Sequence, residues 1–160
     1  MKGRIEKMLD NGFAPVWNDD ESKIEIGISA TSATPPVWMY AQLCAGIKSM
    51  TPSMNEVVVT EQYYCGEGFA HNEVTGMAPQ IQVTGDRVVG DAAQDYIAGL
   101  QWKLGADRVT SVKLTRVESG TTKTYTFDAT ITDIVAFGGD STALKPFNCV
   151  IRPNGKPVIT

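Results

Sequence analysis

His71 is the only histidine in the chain, so a catalytic base of the imidazole kind would have to be this residue. It sits in a stretch rich in glycine and polar residues. A serine or cysteine nucleophile needs its base within hydrogen-bond reach, and no Ser-His-Asp or Cys-His set can be assembled from the spacing. The three thiols are Cys44, Cys65 and Cys149. They lie too far apart for a zinc motif and read as free cysteines in reducing surroundings, buried as small hydrophobes. Asp19-Asp20-Glu21 is the one run of acids and reads as a solvated turn. It lacks the sixth-position glycine and terminal glutamate of a calcium loop. Gly85-Asp86-Arg87-Val88-Val89-Gly90 lies between a strand and a helix, as a dinucleotide loop would. It lacks the G-x-G-x-x-G spacing and the repeating βαβ pattern. Tyr96 and Trp102 read as core or interface aromatics, because a base-stacking platform comes with a basic groove. The residues predict no catalytic set, no metal site and no cofactor.

The elements around these residues are mostly strands. Ile24, Ile26 and Ile28 alternate with Lys23, Glu25 and Gly27, as a half-buried strand does. Val37–Cys44 is apolar on both faces, which predicts a central strand or one covered by a partner. Pro52-Ser53-Met54-Asn55 is a turn, and Glu56–Tyr64 is β-rich. Gln80–Arg87 alternates with Ile81 and Val83 on one face. Arg108–Glu118 and Lys123–Phe137 are further strands, the second with Tyr125, Phe127, Ala129 and Ile131 on one face and a bulge at Asp133-Ile134. Phe147, Cys149 and Ile151 mark another strand, and Pro153-Asn154-Gly155-Lys156 reads as a hairpin turn before Val158-Ile159. One helix stands out. Asp91 is its predicted cap and Gln94 its capping-box partner. Ala93, Ile97, Leu100 and Leu104 form its packing stripe, and Gly105 ends it. The expected fold is mainly β, a sandwich or barrel with one flanking helix.

Cys65–Ala78 has no periodicity and reads as a long loop. Loops of that length are functional or disordered, and Phe69, Val74 and Met77 are unusual choices for a solvated one. At 160 residues the chain is expected to be a single domain over 1–160, with residues 1–20 a candidate N-terminal arm. No apolar run reaches the roughly 18–20 residues of a membrane helix, and the amino terminus has no signal-peptide pattern. Net charge is −4 and uneven. Residues 1–82 carry 5 Lys+Arg against 10 Asp+Glu, and residues 83–160 carry 9 against 8. Glu56, Glu61, Glu67 and Glu73 fall in a segment without Lys or Arg. A chain that grips nucleic acid by its phosphates would be basic; this one suits a surface past which DNA slides.

The order of features resembles the tail tube (major tail) protein of long-tailed, non-contractile bacteriophages. The resemblance covers roughly residues 17–160. It rests on Ile24-Glu25-Ile26-Gly27-Ile28-Ser29-Ala30-Thr31, on Gly85-Asp86-Arg87 with Gly90-Asp91-Ala92-Ala93-Gln94-Asp95-Tyr96-Ile97, and on Gly139-Asp140 with Asn154-Gly155-Lys156-Pro157. It implies a β-sandwich with one flanking helix, related in outline to the inner-tube protein of type VI secretion. It also implies self-assembly into hexameric rings that stack into the siphovirus tail tube, through which double-stranded DNA passes without specific binding during genome ejection. The implied partners are further copies of the chain, a tape measure protein, and tail terminator and initiator proteins, with no membrane. The implied location is the virion tail, after assembly in the host cytoplasm. On this resemblance residues 65–78 are the inter-ring loop, with Cys65, Gly66, Phe69, His71, Val74 and Met77 as its contact residues. Glu56 and Glu61 become candidate lumen-facing charges. A monomeric β-barrel or sandwich that binds a small ligand is the alternative.

Overall fold

The computed structural model describes residues 22–118 and 120–160. The expectations for residues 1–20 and for Asp19-Asp20-Glu21 lie outside the described residues. The fold is mainly β. In chain order it comprises β1 (Lys23–Ala30), β2 (Trp38–Gln42), β3 (Ile47–Ser53), β4 (Glu56–Gln62), β5 (Ala70–Met77), β6 (Gln80–Asp86), α1 (Ala92–Gly99), β7 (Val109–Glu118), β8 (Thr121–Val135) and β9 (Pro146–Ile159). Seven strands form one sheet in the order β2-β1-β7-β8-β9-β6-β3, and β4 and β5 form a separate pair. Every pairing is antiparallel.

The alternation read from the sequence explains the core. Ile24 and Ile26 of β1, Ile81 and Val83 of β6, Val112 of β7, and Phe147, Cys149 and Ile151 of β9 are buried in one cluster. β8 adds Phe127, Ala129 and Ile131 to the same cluster. At Asp133 the backbone enters the left-handed region (φ 52°). The register with β9 shifts there, so Ile134 rather than Asp133 turns inward. The expected bulge is therefore present. Gly27 is buried, and a Cβ on it would strike the Trp38 ring. β1 carries an irregularity between Gly27 and Ser29, which leaves Ile28 only half-buried.

Three expectations need correction. The helix is eight residues long and ends at Gly99, not at Leu104. Ala93, Ile97 and Leu100 are buried as expected, but Leu104 is 83% exposed and takes no part in the packing. Arg108 supplies the reason. Its Nε donates to Lys103 O and its Nη2 to Gln101 O, both at 2.6 Å. A cation there satisfies carbonyls past the helix end and matches the negative pole of the dipole. Second, Pro153-Asn154-Gly155-Lys156 is not a hairpin turn. β9 runs through it, with Asp128 opposite Asn154 and Thr126 opposite Val158. Three residues of β9 thus face Phe127 alone, and Gly155 takes the positive φ that such a bulge needs. Third, Cys65–Ala78 is not an irregular loop. After one 3-10 turn at Tyr64–Gly66, most of it is strand β5, paired with β4 from Glu56↔Met77 to Gln62↔Ala70.

Candidate functional site

β4 and β5 make an arm that stands clear of the body. It leaves the β3–β6 hairpin at Met54-Asn55 and returns at Ala78-Pro79. Asn55 has φ 45°, and its Nδ2 donates to Ala78 O at 3.0 Å. Ala78 N in turn donates to Met54 O at 3.1 Å. This clasp separates the β3–β6 ladder from the β4–β5 ladder. The seven residues of β4 at about 3.3 Å each extend the arm by roughly 23 Å. No residue of the arm is buried, and every residue of β4 is exposed.

The exposed residues are apolar to an unusual degree. Val57, Val58, Val59, Val74 and Met77 line the strands, while Tyr63, Tyr64 and Phe69 crown the tip. Phe69 is 78% exposed. The Tyr63 and His71 rings lie 6.3 Å apart, tilted by 52°. Exposed apolar surface of this extent marks a contact site, and a two-stranded ribbon is marginal alone. Cys65 is exposed at the tip and Gly66 half-buried in its 3-10 turn. The six residues expected to mediate contact between rings, Cys65, Gly66, Phe69, His71, Val74 and Met77, therefore share this one projecting arm.

Glu56 and Glu61 do not share a face. Glu56 lies opposite Met77 and Glu61 opposite His71. Being five residues apart on one strand, the two glutamates point to opposite sides. One face of the arm therefore presents one of the two glutamates.

The polar groups at the helix N-terminus satisfy one another. Asp91 Oδ2 accepts from Gln94 N at 3.0 Å, as expected of a cap. The Gln94 side chain does something else. It is fully buried. Its Oε1 accepts from Val88 N at 2.8 Å, and its Nε2 donates to Ala45 O at 2.6 Å and Asp86 O at 3.2 Å. Arg87 Nη2 donates to Asp95 Oδ1 at 2.6 Å. That hydrogen bond, chiefly, holds the Asp95 carboxyl below its usual pKa. The Gly85–Gly90 segment is thus a structural corner. Gly85 faces Gly46 so closely that a Cβ on either would strike backbone, the role that glycine plays where two chains cross.

A groove of about 830 Å³ opens between the two edges of the sheet. Leu43 and Cys44 line it on the β2 side, Ile47, Lys48 and Met50 on the β3 side, with Ile24, Ile81 and Leu114 between. Residues 43–46 connect β2 directly to β3, although these strands are at opposite edges of the sheet. So short a link requires the sheet to curl toward itself, and the groove is the remaining gap. The sequence did not signal this groove, because its walls come from strands distant in the chain. Among the described residues, no His, Cys, Asp and Glu side chains gather as a metal site, and no helix is long and apolar enough to cross a membrane. Neither a protein-family model nor a curated protein matches the chain.

Proposed function

We propose that this chain is a structural subunit that assembles with copies of itself into stacked rings, the tail tube of a long-tailed, non-contractile bacteriophage. The curled antiparallel sheet with one helix is then the tube-protein sandwich, and the β4–β5 arm is its contact between rings. The observation that carries this reading is the arm. An element of 22 residues, Glu56 to Met77, that buries nothing and displays valines and aromatics has its purpose outside its own subunit.

Two further features support it. Strands β2 and β3 end the sheet, each pairing on one side only among the described residues. Exposed edges of this kind pair with neighbours, and Val37 next to β2 and Met39 within it are both exposed. The arm, moreover, has four glutamates and neither lysine nor arginine, which suits a tube that passes DNA without holding it. The remaining partners of this reading are a tape measure protein and the tail initiator and terminator.

The groove favours a second reading, a monomer that binds a small apolar ligand. Its volume falls in the range of roughly 300–1,000 Å³ found for such sites. Mass spectrometry of purified phage particles from the genome that encodes this chain separates the two. A tail tube subunit is present there in many copies per particle. Absence from particles, together with a monomer at all concentrations, favours the ligand-binding reading.

A further inference from the structure

We propose that the groove between the two sheet edges receives the aromatic arm tip of a second copy of this chain. The inference rests on the tube-subunit reading and adds the surface on which the arm docks. The two surfaces match in chemistry. The groove floor is apolar, with Ile24, Leu43, Ile47 and Met50, and its rim carries Lys23, Lys48 and Arg116 without one acidic residue. Lys48 already meets Asp86 at 2.9 Å and Arg116 meets Glu118, yet their side chains stay 66% and 49% exposed. The arm offers the complement: Tyr63, Tyr64 and Phe69 at its tip, with Glu61 and Glu67 beside them and no cation. Aromatic anchors entering an apolar pocket inside a charged rim are the anatomy of a stable interface, and opposite charge on the rims favours encounter in the right register.

The groove cannot be filled by its own arm. Pro52 and Met54 line the groove, and the arm starts two residues later at Glu56 and runs away for roughly 23 Å. No residue from 56 to 77 lines the groove of its own chain. Docking is therefore in trans. Because acceptor and donor sit at opposite ends of one arm, a copy that has docked still offers a free groove or a free tip. Such a head-to-tail contact propagates as an open stack wherever its rotation does not close it into a ring, and growth by addition of rings uses the open case.

The native cysteines report on this contact. Cys65 is exposed at the arm tip and Cys44 is exposed in the groove wall, whereas Cys149 is buried, its thiol pushed up to about 12 by burial, and so is silent toward a maleimide at neutral pH. Equal amounts of unlabelled and 15N-labelled full-length chain are mixed, assembled and treated with a short bismaleimide. The expected result is a ladder of covalent oligomers with Cys44–Cys65 links, many of which join a light peptide to a heavy one. Phe69→Asp, which disturbs no buried contact, should keep the melting curve and lose both the ladder and the polymer. Polymers whose links are Cys65–Cys65 overturn the proposal, since the arms then meet tip to tip. Polymers in which Cys44 is freely alkylated and unlinked also overturn it, while leaving the tube reading standing. Cys44 shielded already in the monomer overturns it too, because residues 1–21 or a small ligand then fill the groove. A chain that stays monomeric with Cys44 reactive overturns this contact and self-assembly together.

Discussion

Gln94 joins three separate parts of the chain through one amide. It meets the corner at Val88, the β2–β3 connector at Ala45 and the end of β6 at Asp86. Gln94→Leu would leave those backbone groups buried and unpaired, at about 1–3 kcal/mol for each that water cannot reach. The expected readout is a lower urea midpoint at unchanged slope. Asp91 was legible as a cap because its partner lies three residues on. The role of the Gln94 side chain was not, because Ala45 is forty-nine positions away. Titration gives a second prediction at this scale. Burial pushes the Cys149 thiol up from an ordinary 9.0 to about 12. The folded state keeps its proton where the unfolded state has lost it, so stability falls as pH rises between those values, by up to about 1.4 kcal/mol per pH unit. Cys149→Ala should remove that alkaline slope while lowering stability at neutral pH, as denaturant titrations at several pH values would show. Asp95 works in the opposite sense. Its lowered pKa adds stability that is present above the ordinary carboxylate range and is lost as pH falls through the folded value.

Elements with one buried face were read correctly from the chain; of those without one, β2 and β4 were legible from their β-branched and aromatic residues, and β5 was not. β1, β6, β8 and the first part of β9 announce themselves by alternation because one face meets the core. β5 has no buried residue, so nothing in its apolar pattern marks it as strand, and its ladder with β4 carries the whole assignment. Asn154-Gly155 shows another limit, since a positive-φ glycine serves a bulge as well as a hairpin turn. The helix supplies a sharp comparison. Leu100→Ala should cost about 2–5 kcal/mol as a truncation in the core, while Leu104→Ala, at an exposed position, should stay within about 0.5 kcal/mol of the parent. Thermal melts of the two variants side by side are the check. The arm invites excision. Replacing residues 55–78 with a two-residue turn that joins β3 to β6 should leave the body folded with its melting little changed, because the arm buries nothing, and should abolish stacking. At this scale the glutamates separate as well. Exposed charges fade beyond about 8 Å at physiological salt, and Glu56 and Glu61 face opposite ways. Lysine substitution at one of them, not both, should slow DNA ejection from otherwise normal particles; equal slowing by each would mean that the arm does not line the bore by one face.

At the scale of the whole molecule, the chain divides into a body that folds for itself and surfaces that it leaves uncovered. The body is a curled seven-stranded sheet with a helix against it. The uncovered surfaces are two sheet edges, an acidic arm with an aromatic tip and a groove with a cationic rim. The arm contributes nothing to the core, whereas the groove is floored by core residues such as Ile24 and Leu43; on the proposed reading all of these surfaces are satisfied by further copies of the same chain. The sequence displayed the body through periodicity and the uncovered surfaces only indirectly, through apolar residues with no face to bury them and an acidic stretch with no cations. The most direct test is electron cryomicroscopy of the full-length chain assembled at high concentration or on a purified tail initiator. The account predicts stacked six-membered rings around an open bore wide enough for a DNA duplex, with each β4–β5 arm reaching an adjacent ring. Solid filaments without a bore, or a monomer that neither concentration nor the initiator converts, would contradict it.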